Sequence, residues 1–301
     1  MFEQNYDVLP RHVLCVLGSG LDLRTVEEVV GRVGGPGFTV DRDSFRPVGD
    51  PRMPRAFAAS VFDDSFDESD EEAVETHDSV VYVLSPSMPQ HIAFDPRRHV
   101  LAGAEHGHKL PGGAWSEVFD VSRRMLAVAG ALLRSGATAV KNESSGLTHG
   151  RDRWLSLADR AAEATDWVGL AIPLFDAWVT RPLASGNLIT SCGMHLLGAP
   201  DVELEVDWPD MQRPHRQQVE DAVDLMDNLA LYLLTEDRAV MISDGEGFRL
   251  SPDGPRWLLE RHPCHRYDEE SFGFNPYGYW RLTPDVPPAT VPTGPTALPA
   301  V

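Results

Sequence analysis

WSEVFDVSRRMLAVAGALLR, residues 115–134, decides the fold class. Its apolar residues Val118, Phe119, Val121, Met125, Leu126, Val128, Leu132 and Leu133 cover most of a helix circumference rather than one stripe. Such a helix must be covered on several sides, so it belongs in the middle of the molecule. A second long helix is expected over 215–234. There Val219, Ala222, Val223, Met226, Leu229, Ala230 and Leu233 form a single three-four stripe suited to covering a sheet.

Working outward from these helices, the apolar run His12–Leu17 reads as a buried strand closed by Gly18-Ser19-Gly20. Asp22 then caps a helix ended by Gly34-Gly35-Pro36-Gly37. Segments 38–48 and 55–62 read as strands, the acidic stretch 63–75 as the site of one short helix, and Ser79–Leu84 as a strand. After the central helix come a strand at 137–140, a helix at 150–164, strands at 168–179 and 188–197, and an added strand at 202–206. The 215–234 helix and a strand at 239–242 close the set. The expected class is therefore α+β: two ferredoxin-like β-α-β-β-α-β halves, 12–84 and 137–243, bridged by the buried helix. In segment terms this divides the chain into 1–86, a loop insert at 87–114, 115–250, an aromatic extension at 251–282 packed on the domain, and a disordered tail at 283–301.

Composition bounds what such a protein can bind. Its 46 acidic against 26 basic residues give a net charge of −20, and Lys109 and Lys141 are the sole lysines. That field repels phosphate backbones, so nucleic acid is not an expected partner, whereas a basic protein is. No apolar run is long enough to span a bilayer, and the first residues lack the basic start of a secretory signal, so a cytoplasmic location is expected. Cys15, Cys192 and Cys264 are far apart and odd in number, which suits reduced thiols.

Chemistry-bearing clusters are sparse. Gly18-Ser19-Gly20 follows a strand and precedes a helix, but it lacks the third glycine of a dinucleotide site and the Lys-Ser/Thr of a P-loop. No cofactor is expected. His106 and His108 stand at a spacing that can chelate one metal from an extended loop but have no third ligand, and His262, Cys264 and His265 lack the paired spacing of a structural zinc site. The acidic run 63–75 has no EF-hand alternation, so a solvated face is expected there. One loop gathers a carboxylate, hydroxyls and an imidazole at a strand end, namely Lys141, Asn142, Glu143, Ser145 and His149. Were the protein an enzyme, Glu143, Ser145 and His149 would be its catalytic candidates and should line one pocket. Turn chemistry ahead of the next helix is the simpler reading.

The stretch LITSCGMHLLGAPDVEL, residues 188–204, contains Thr190, Gly193, Leu197, Gly198, Pro200, Asp201, Val202 and Glu203 in a Thr-x-x-Gly-x-x-x-Leu-Gly-x-Pro-Asp-hydrophobic-Glu pattern. It resembles the domain-of-unknown-function 4261 family of bacterial proteins. The strand and loop at 137–149, Trp178, the 228–234 helix end and Asp244-Gly245 agree with the resemblance, which is good over 80–245 and loose before it. It implies a bacterial origin and an α+β fold, and it brings no catalytic residues. The expected function is a non-enzymatic, immunity-like accessory protein of a bacterial conflict or secretion system, with an acidic surface for a basic partner. The alternative is a hydrolase-type enzyme using the 142–149 loop.

Overall fold

The computed structural model describes residues 4–88, 114–206 and 216–285. It is a mixed α+β structure with two sheets. The first holds β1 (Val13–Gly18), β2 (Thr39–Arg46), β3 (Ser79–Leu84), β4 (Ala137–Asn142) and β5 (Leu147–Thr148), in the order β2-β3-β1-β4-β5. Every neighbouring pair in it is antiparallel. All six residues of β1 are buried, and they serve two cores. Leu14 and Val16 face α1 (Leu23–Val33) and the long helix, whereas Cys15 and Leu17 face Met53, Phe57 and Val74. A strand buried on both faces reads as a continuous apolar run, as this one does.

Helix α1 starts where the Asp22 carboxylate accepts from the Thr25 amide, one of the donors a helix start leaves unpaired. Between β2 and β3 lie α2 (Met53–Ala58) and α3 (Glu68–Glu75), which cover the second face. The expectation of a strand at 55–62 is thus corrected. Pro54 sits in the first turn of α2, and alanines at 56 and 58 favour helix over strand. Only Val61 makes a bridge, to Thr148.

The long helix α4 (Ala114–Arg134) is buried over most of its circumference. Its exposed and half-buried residues, Glu117, Asp120, Arg123, Arg124, Ala127, Ala131 and Arg134, form one narrow stripe. It packs on α1 and β4, and on its other side against α5 (Arg151–Glu163) and α6 (Trp167–Trp178). The expected strand at 168–179 is this helix α6. Asp166 caps it by accepting from the Gly169 amide, and its length of 12 residues favours helix over strand in an apolar run.

The second sheet runs β6-β7-β8-β11-β10-β9. Its members are β6 (Thr180–Ser185), β7 (Leu188–Cys192), β8 (Asp201–Glu205), β9 (Glu246–Phe248), β10 (Trp257–His262) and β11 (Tyr279–Pro284). Helix α7 (Arg216–Thr235) lies on it with a single buried stripe, Ala222, Leu225, Met226, Leu229, Ala230, Leu233 and Leu234. The strand expected at 239–242 falls instead on a 3-10 turn, Asp237–Met241. Residues of the 251–282 segment enter this sheet, where β11 pairs in parallel with β8 and antiparallel with β10. Thr283 and Pro284, placed in the expected tail, belong to β11. Residues 286–301 lie outside the described residues.

The division into a half at 12–84, a bridging helix and a half at 137–243 gives way to a different partition. Strand β4 pairs with β1, so the first sheet reaches across the long helix to residue 148. The continuous connection is β1-α1-β2, then β3-α4-β4, with α2 and α3 inserted between β2 and β3. The second sheet has six strands and takes three of them from beyond residue 245.

Candidate functional site

The loop that joins β4 to α5 leaves the edge of the first sheet where it meets the second. Asn142, Ser144, Thr148 and His149 are buried there, and Ser145 is 6% exposed. Each group is taken by a different partner. The Asn142 amide donates to Ser145 Oγ at 2.8 Å, and its carbonyl oxygen accepts from the Ser144 amide at 3.0 Å. Ser144 Oγ donates to the Arg11 carbonyl and accepts from the Val13 amide. The Ser145 carbonyl accepts from Thr180 Oγ1 at the first residue of β6, joining the two sheets. Lys141 Nζ donates to Glu143 Oε2 at 2.7 Å.

His149 is held at both ends. Its Nδ1 lies 2.9 Å from Asp63 Oδ2, and its Nε2 lies 2.9 Å from the Asp176 carbonyl oxygen. Burial pushes the Asp63 carboxyl up, but the hydrogen bonds from His149 and Ser65 outweigh it and hold the group well below the usual carboxylate range. The three catalytic candidates therefore share a loop but not a bond. Ser145 Oγ receives a proton donor, the Asn142 amide, where nucleophilic activation requires a base beside it. Glu143 is engaged with Lys141, and His149 with Asp63 and Asp176.

Most of the remaining candidates are occupied too, whereas His262 Nε2 is buried with no hydrogen-bond partner among the described residues. In the Gly18–Gly20 turn the Gly20 amide donates to Asp78 and the Leu21 amide to Ser79 Oγ, so the amides that could cradle a phosphate bond the chain itself. His262 Nε2 stands 3.6 Å from Glu260, His265 Nδ1 is 3.1 Å from the Pro263 carbonyl, and Cys264 Sγ is 3.3 Å from Tyr279 OH. Among the described residues no three His, Cys, Asp or Glu side chains are grouped to hold a metal. His106 and His108 lie outside the described residues.

Two buried polar clusters escaped the sequence. The first lies on the second sheet. Glu203, fully buried, accepts from Arg266 Nη2 at 2.6 Å and from Arg281 Nε at 2.5 Å, and Arg266 Nη1 also donates to Thr190 Oγ1. Asp201, two residues earlier, accepts from Asn275 Nδ2, Ser191 Oγ and the Met194 amide. Burial pushes its carboxyl up to about 7 against those bonds. Alternation of Val202 and Leu204 with the acids signals a half-buried strand with its acids in water. The arginines that pair with Glu203 come 63 and 78 residues later, and no spacing rule links them to it.

The second cluster sits at the centre of the molecule. His12 Nε2 donates to Ser122 Oγ at 2.9 Å, because the Ser122 hydroxyl is itself donated to the Leu196 carbonyl. His195 Nε2 donates to the Phe272 carbonyl at 3.1 Å. Burial lowers the two imidazoles to about 3 and about 4, with His195 adding to the effect on His12, so both are neutral in the folded state. A shallow cleft of about 460 Å³ lies between the solvent stripe of α4 and the start of α6, floored by Phe119 and Trp167, whose rings stack at 4.1 Å.

No family model, curated protein or solved structure matches the chain. Function must therefore be argued from these residues alone.

Proposed function

We propose that this is a non-enzymatic binding protein, an immunity-like accessory protein of a bacterial conflict or secretion system, that presents an acidic surface to a basic partner. The observation that carries the reading is the build of residues 62–78. This stretch holds nine acids and no lysine or arginine. It is ordered around α3, where the Asp67 carboxylate accepts from the Ser69 and Asp70 amides and Asp70 returns the bond to the Asp67 amide. Val74 anchors the helix in the core, while Glu68, Glu71, Glu72 and Glu75 face solvent. Among the described residues none of these four glutamates forms an ion pair. A fixed row of unpaired carboxylates steers and holds a cationic surface, with an effect that weakens in salt.

The same reading takes the chain as a cytoplasmic relative of the family that the 190–203 pattern resembles. It takes residues 13–142 as one ferredoxin-like unit with α2 and α3 inserted. Among the described residues no helix is long and apolar enough to cross a membrane. The hydrolase reading is weaker, because Glu143, Ser145 and His149 each bond a different partner.

The test is native co-purification at low salt, comparing the wild-type chain with one carrying Glu68→Gln, Glu71→Gln, Glu72→Gln and Glu75→Gln. The proposal expects a basic protein at stoichiometric level, released by salt and lost from the variant. Recovery of the wild-type chain alone would overturn it.

A further inference from the structure

Four residues of the loop and the start of α5 tie residues 60–70 to the rest of the protein. The Thr148 amide donates to the Ser60 carbonyl, the Gly150 amide to Ser65 Oγ and the Arg151 amide to Asp70 Oδ1. His149 supplies the fourth tie and differs from the others in chemistry. Both atoms facing its ring nitrogens, the Asp63 carboxylate oxygen and the Asp176 carbonyl oxygen, can only accept a hydrogen bond. A neutral imidazole carries one N–H and can serve one of them. The other nitrogen would then point a lone pair at an oxygen at 2.9 Å, in a side chain only 4% exposed. Only the doubly protonated ring satisfies both ends.

We propose that His149 is a proton-dependent clamp that fastens the acidic segment 60–70 to the C-terminal end of α6 and lets go of one end when the ring loses its second proton. The charged groups around it do not take over this role. From α6, the Asp176 carboxylate is held by Arg153, Arg160 and Arg181. From α5, the Arg151 guanidinium donates to the Leu133 and Ala137 carbonyls, and Trp154 presents its ring edge-on at 4.9 Å. From α3, Asp70 is spent on the Arg151 and Asp67 amides. From β4, Lys141 is spent on Glu143. Asp64, next to Asp63, is exposed.

Loss of the ring's second proton frees either Asp63 or the Asp176 carbonyl, and the connection from α2 to α3 opens from that point. The clamp stands on its own geometry. Its consequence, that protonation sets the pose of the acidic row for a basic partner, rests on the function proposed above.

Nitrogen-detected NMR of the full chain tests the clamp without any partner. At mildly acidic pH, His149 should show two N–H groups with bonded shifts. Hydrogen exchange corrected for intrinsic rates should then show protection of residues 60–70 falling about tenfold as the same spectra show the ring losing its second proton, the order expected for losing one hydrogen bond to a charged group. In His149→Gln, whose donors sit on one nitrogen and whose other terminal atom only accepts, that protection should start low and change less than about twofold over the same pH series. A His149 ring that carries one N–H while residues 60–70 are fully protected overturns the proposal on the wild-type chain alone. Retention of the full pH dependence in His149→Gln also overturns it. Failure to recover a basic protein would count against the binding reading and leave these measurements intact.

Discussion

Replacing Glu203 with alanine should unfasten the C-terminal strands from the second sheet. Glu203 is fully buried on β8, and it is the carboxylate shared by Arg281 on β11 and Arg266 in the loop after β10. Alanine removes two charge-assisted hydrogen bonds, each of roughly 1.5–3 kcal/mol, and leaves two guanidinium groups without their counter-charge. The arginine side chains are 16% and 23% exposed, so water recovers part of that loss. The net cost should sit at the lower end of the ~3–5 kcal/mol seen when one partner of a buried pair is removed. Glutamine at 203 keeps one acceptor but turns an NH2 toward the other arginine, so it should cost roughly half as much. Urea unfolding gives the magnitude from the midpoint shift at constant slope. Hydrogen exchange gives the place, because amides of β10 and β11 should lose protection first while those of β1 and β3 keep theirs. A loss below about 1 kcal/mol, the range of ordinary surface changes, would refute the reasoning. So would equal losses for alanine and glutamine, or a loss spread evenly over both sheets.

Other outcomes follow from burial and backbone geometry. Gly193 has φ +122, and an added Cβ would lie 2.2 Å from the Trp178 carbonyl oxygen, so Gly193→Ala should cost about 3 kcal/mol or more in thermal or urea unfolding. Native alkylation should modify one thiol per chain, Cys264, because Cys15 and Cys192 are buried and burial pushes Cys15 up to about 12 and Cys192 higher still. Mass spectrometry should count three only after unfolding. His195 is lowered by burial from 6.5 to about 4, so the folded state binds fewer protons than the unfolded chain between those values. Its contribution to stability is therefore present above about pH 6.5 and lost as pH falls toward about 4. The difference between wild-type and His195→Gln stability curves should change by roughly 3 kcal/mol across that window.

Much of the chain is legible locally. The run at β1, the Asp22 cap, the two long helices with their different faces and the valines of β3 follow from periodicity and capping within a few residues. The misread pieces are short apolar or alanine-rich runs. Residues 55–62 and 168–179 suit strand or helix by hydrophobicity alone, and Pro54 and Asp166 favour helix only once their position in a first turn is known. The candidate loop was legible as a concentration of polar residues at a strand end. Its meaning was not, because Asp63 and Asp176, which occupy both ends of His149, lie 86 and 27 residues away.

The sequence by itself determined that this is an acidic α+β protein with a helix needing cover on nearly every side, since charge and periodicity are properties of local text. Tertiary structure alone decided which strand lies beside which, that β4 belongs with β1, and that β11 enters the second sheet beside β8. It also decided that the buried acids 201 and 203 meet Asn275, Arg266 and Arg281. Pairing across such separations depends on the mutual fit of distant surfaces and on satisfying each buried charge, and neither is encoded in the spacing of neighbouring residues.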